Sequence, residues 1–144
     1  MSIYEALEQW LQQCEYLDSY IYFNVIPVMS DTTSLVPVQG ENVLDTFIDG
    51  TKRKEFPFNI DIVKPYDSSG TSDLNRESIE IFNSVTEWIE DKLNNNDYPD
   101  LGELITVENI EQMYSVPQIY VSNEDQELCN YENRYKLTYI ERKR

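Results

Sequence analysis

The sequence predicts an α+β domain, a largely antiparallel β-sheet with two amphipathic helices packed on one face. Three observations predict it. Two stretches carry apolar residues at helical spacing, one segment alternates apolar and polar residues strictly, and an Asp-Gly pair joins two strand-like runs. The order along the chain is helix, strands, helix, strands, with no internal repeat and no linker, so residues 1–144 read as one domain.

Ser2 and Glu5 stand at capping-box spacing, and Ile3, Leu7, Trp10, Leu11, Cys14 and Leu17 then recur along one helical face. Tyr20 to Val28 is β-branched and aromatic without a helical period, and reads as a strand ending near Pro27. Met29 to Asn42 is a long irregular stretch with a short strand around Leu35 to Val38; loops of such length in small domains are often functional. Val43 to Ile48 and Thr51 to Val63 flank Asp49-Gly50, which predicts a hairpin with a type I′ turn. In its second arm Phe56, Phe58, Ile60 and Ile62 alternate with Pro57, Asn59 and Asp61, the period expected when one face is buried and the other is wet. Pro57 lacks an N–H, which predicts an edge position or a backbone nitrogen turned away from its neighbour. An edge with an irregular loop beside it is a natural place for another chain to add.

After the polar loop Asp67 to Asp73, Ile81 or Phe82, Val85, Trp88, Ile89 and Leu93 return at spacings of three and four, ending at Asn94 to Asp97. Ile105 to Met113 leans to β structure. Ser115 to Val121 and Arg134 to Ile140 read as closing strands, joined across Ser122 to Asp125 and a segment around Cys129 and Tyr131.

The chain has 144 residues, a net charge of −16 and no His, which removes the commonest general base and transition-metal ligand. Its 40% hydrophobic content predicts a folded chain. No 18-residue apolar run and no basic-then-apolar N-terminus occur, which predicts a soluble, intracellular protein where it is made, without membrane contact. In that setting Cys14 and Cys129 read as reduced, buried thiols. So acidic a surface repels phosphates, and stable nucleic-acid binding is not expected.

Positive charge is clustered in Lys52, Arg53, Lys54 and in Arg142, Lys143, Arg144. Such asymmetry suits docking between unlike faces, and equally fits a solvated hairpin tip and a frayed tail. Asn123, Asp125 and Glu127 imitate the opening of a calcium loop, but Leu128 stands where Gly is needed and Arg134 where a bidentate Glu is needed. No P-loop, dinucleotide-binding, nucleophile-elbow or CxxC motif appears, and no cofactor is expected. Among 27 carboxylates chance pairs are common and no spacing singles one out; an enzyme reading needs perturbed carboxylates in a deep pocket. The candidate interface residues are therefore Asp31 and Thr32 in the irregular loop, Lys52, Arg53 and Lys54 in the hairpin, and Arg142, Lys143 and Arg144 at the end.

The run Val43 to Phe58, VLDTFIDGTKRKEFPF, resembles the Asp-Gly hairpin of minor capsid or tail-terminator proteins of long-tailed phages infecting low-GC Gram-positive bacteria. Trp88-Ile89-Glu90, Tyr98-Pro99-Asp100-Leu101-Gly102 and Arg134-Tyr135-Lys136-Leu137-Thr138-Tyr139 resemble further segments of that family, in the same order. The resemblance implies a non-enzymatic virion protein that caps the tail tube as a ring, a hexamer by family analogy, ends tail polymerisation and offers the surface for head–tail joining. It implies three partners: other copies, the tail tube protein and the head–tail connector. It places the protein in the bacterial cytoplasm during assembly and then in the virion tail, with DNA passing through the ring. A tail-tube or head-completion protein is the alternative within the same setting.

Overall fold

A computed structural model describes residues 2–143 except 19, 39–41, 68 and 70–72. Ser2 Oγ accepts a hydrogen bond from the Glu5 N–H at 3.2 Å and starts helix α1, Ile3–Leu11. The apolar face predicted through Leu17 outlasts the helix. Cys14 and Leu17 are buried from the turns that follow, closed by the Cys14 N–H on Leu11 O and the Leu17 N–H on Cys14 O. Strand β1 is only Ile21–Phe23, because Asn24 takes a left-handed φ of 55° and turns the chain away.

The irregular stretch holds β2, Thr32–Pro37, running parallel to β1 and antiparallel to β4, Lys52–Pro65. Strand β3, Asn42–Thr46, also pairs with β4. Only Gly50 of the Asp-Gly pair has a left-handed φ, at 90°. The Gly50 N–H bonds Phe47 O and the Phe47 N–H bonds Thr51 O, so the connection is a three-residue loop with a glycine bulge instead of the predicted type I′ turn.

Helix α2, Leu74–Asn94, buries Phe82, Val85 and Ile89. It leads to β5, Ile105–Gln112, β6, Gln118–Asn123, and β7, Leu128–Glu141. Strand β7 is longer than its sequence pattern suggested and includes Cys129 and Tyr131. The sheet order is β1-β2-β4-β7-β5, with β3 beside β2 on the outer side of β4 and β6 beside β5 on the outer side of β7. The axis of the fold is the β4–β7 pair, in register from Lys52 opposite Glu141 to Pro65 opposite Leu128. Thus β4 is internal, not an edge. Pro57 is accommodated because β3 pairs with residues 52–55 and β2 with 58–63, leaving it opposite the break between them.

Phe56, Phe58, Ile60 and Ile62 join Tyr131, Tyr135, Leu137 and Tyr139 on one face, and both helices bury their apolar sides against that layer. Phe58 stacks on Tyr135 at 5.8 Å between ring centroids, and Trp10 meets Trp88 at 4.9 Å to join α1 to α2. The Trp10 indole N–H is satisfied by Asp97 O.

Candidate functional site

Most of the positive charge in the sequence is consumed inside the molecule. Arg53 lies on the outer sheet face, donates to Glu108 at 2.7 Å and Asp45 at 3.0 Å, and so ties β3 and the bulge of β5 to β4. Lys54 pairs with Glu141 at 3.4 Å, and Lys136 bridges Glu55 and Glu111 at 2.9 Å each. Lys64, Arg76 and Lys92 also have carboxylate partners. Lys52, Arg142 and Lys143 are exposed and make no ion pair among the described residues. A lone surface pair stabilises little, so the informative feature is where the leftover charge sits.

It sits at one tip. A depression at the β3–β4 turn is lined by Gly50, Lys52, Glu141, Arg142 and Lys143. A second, with Phe47, Ile48, Asp49, Thr51, Thr106 and Ile140 on its walls, shares Arg142. The Arg142 N–H bonds Leu104 O and its guanidinium donates to Glu103 O, which fixes the strand end. The structure therefore brings together two of the three predicted groups, the hairpin cations and the basic C-terminal residues; Arg144, and residues 39–41 of the irregular stretch, lie outside the described residues.

Asp31 and Thr32 are elsewhere. They stand at the Val63 end of β4, roughly 35 Å along the strand from Lys52 at about 3.3 Å per residue. Thr32 is only 5% exposed, with its hydroxyl on Met29 O, so its side chain is not offered to a partner. Asp31 takes a left-handed φ of 60°, accepts from Lys64 at 3.0 Å and from Ser30, and these bonds hold its carboxyl below the usual range. Its part is to close the loop onto β4.

Sequence reasoning missed the apolar surface. On β3 and the tip, Val43, Leu44 and Phe47 are exposed and Ile48 is fully so. At the opposite corner Val116, Ile119, Tyr120 and Val121 are exposed on and beside β6. Among the described residues β3 pairs only with β4 and β6 only with β7, so each offers a free edge. The β6–β7 turn, Glu124 to Glu127, is acidic; the Asn123 side chain accepts from the Gln126 N–H and so serves the turn. The clue in the sequence was the apolar residue at both alternating positions of VL and IYV, which no single buried face can absorb.

One carboxylate pair stands out chemically. Asp61, 1% exposed, faces Glu132 directly across β4 and β7 and accepts from the Asn130 amide at 3.1 Å. Its second oxygen meets no donor among the described residues. Burial, then the Glu132 charge, pushes the Asp61 carboxyl up to about 8, so Asp61 keeps its proton near neutral pH. Neither tip depression includes it. Cys14 and Cys129 are both buried free thiols. Among the described residues no three of His, Cys, Asp and Glu converge as a metal would need, and no helix is long and apolar enough to cross a membrane.

No family model matches the chain, and no curated protein is significantly similar to it.

Proposed function

We propose that this chain is a structural virion protein that forms a ring on the end of a phage tail tube, ends tube growth and presents the surface for head–tail joining. The observation that carries the reading is the pair of exposed edge strands, β3 and β6, bearing apolar side chains at opposite corners of one sheet. Edges left open in this way are where chains add to one another. The resemblance of the Val43 to Phe58 hairpin supplies the biological setting. The net charge of −16 supports a conduit role, since an acidic wall lets DNA slide without sticking.

The test is light scattering with negative-stain imaging of the pure protein, followed by incubation with growing tail tubes. Rings of defined size that bind tube ends and arrest elongation are expected. Filaments of the chain itself would favour the tail-tube reading, because a head-to-tail contact that does not close gives a polymer. Tubes that elongate normally with the protein in excess would overturn termination.

A further inference from the structure

The two exposed edges differ in charge as well as place. The β3–β4 tip combines Phe47 and Ile48 with Lys52, Arg142 and Lys143, three cations without an ion pair among the described residues, and with one exposed acid, Asp49, whose carboxylate accepts from the Thr51 N–H, so cations outnumber acids there. The β6–β7 hairpin combines Ile119, Tyr120 and Val121 with the exposed acids Glu124 and Asp125. Each edge is thus apolar with a charged end, and the two charges are opposite. The edges also lie on opposite sides of the sheet, β3 outside β4 and β6 outside β7, at opposite ends of the β4–β7 pair. One copy therefore cannot satisfy both by itself.

We infer that copies of this chain join head to tail, the β3 edge and basic tip of one copy seated on the β6 edge and acidic turn of the next. The occupant of each edge is a second copy, a choice that rests on the ring reading and on the charge match. Because the basic tip follows β3 and the acidic turn follows β6, bringing the charges together sets the two strands parallel. Backbone pairing and apolar contact supply the attachment; the charges select the register and reject tip-to-tip pairing. Unlike surfaces make the contact heterologous, so it propagates until the ring closes. Arg53 and Lys54 take no part, being held by Asp45, Glu108 and Glu141.

Charge reversal in the full-length chain tests this. One variant carries Lys52→Glu with Lys143→Glu, the other Glu124→Lys with Asp125→Lys; all four side chains lie at exposed or turn positions, and circular dichroism verifies folding. Each variant alone has like charges at both ends and should associate about tenfold more weakly than wild type, or worse. Mixed in equal amounts, the reversed tip meets the reversed turn and the native tip meets the native turn, so assembly should return with the two variants alternating. Absence of this rescue would sink the proposal, and so would particles that stop at two subunits, because an isologous contact closes at a dimer whereas a heterologous one propagates. Rings formed as usual by both variants would overturn the contact while leaving the ring reading intact. A wild-type chain that stays monomeric at high concentration overturns the contact in solution, and tube capping is then decided by its own assay.

Discussion

Asp61 is the residue whose chemistry departs furthest from its ordinary state. Its folded carboxyl titrates at about 8, against 3.8 when unfolded, so the native state keeps a proton that the unfolded chain releases. The folded state is thus at its relative best below pH 4, and the stability tied to this group is lost as pH rises toward 8. Replacing Asp61 with Asn removes the titration and keeps a donor toward Glu132. The variant should melt higher than wild type at pH 8, by an amount on the order of 1 kcal/mol or more, and the advantage should vanish near pH 4. Thermal melts at the two pH values decide it, and a pH-independent difference would show that Asp61 is not protonated. Gly50 makes a simpler case. Its φ of 90° disfavours any side chain, and a Cβ there would stand only 2.6 Å from Lys143 Cδ, which would have to move. Gly50→Ala should cost about 1 kcal/mol or more, read as a lower melting temperature.

At the scale of elements, β7 and β4 carry the fold and the outer strands hang from them. Truncating Phe58 or Tyr135, stacked and fully buried at the centre, should cost about 3–5 kcal/mol by chemical denaturation. Tyr135→Phe keeps the stack and loses only the hydroxyl beside Thr86, so it should cost about 1 kcal/mol. Strand β3 is held on one side by β4, is bulged at Leu44, and is tied by Arg53 through Asp45. Arg53→Ala should therefore speed amide exchange at Val43 and Asp45 while leaving β7 protected. Equal acceleration in both strands would mean that β3 and the core open together. These elements were legible in the apolar positions of the Phe56 to Ile62 alternation and in the Phe82, Val85, Ile89 stripe, but the β4 face expected to be wet is buried at Asn59 and Asp61, since β4 is paired there on both sides, with β2 and β7. Strand β1 was overread because β-branched and aromatic residues from Tyr20 to Val28 promise a longer strand than the Asn24 turn permits.

For the whole molecule, the net charge of −16 keeps copies apart until short-range contacts take over. With a pI near 4.1, solubility should reach its minimum near pH 4, where turbidity measurements should rise, even though the Asp61 pair is then least strained. Precipitation centred near neutral pH would contradict a surface charge set by free carboxylates.

The sequence by itself determined the class of fold, both helices, the β3–β4 hairpin and the clusters of positive charge, because period, capping and turn chemistry act over a few residues. Which cations are spent inside and which remain outside could not be read there. Arg53 and Lys54 look like Lys52 in the sequence, and only the pairing of β4 with β7 and β3 brings Glu141 and Asp45 to them. The edges were decided the same way: β4, with its Pro57, became the sheet's interior, and β3 and β6 became its rims. A strand's place in a sheet depends on partners far away in the chain, and its own residues carry only half of that pairing.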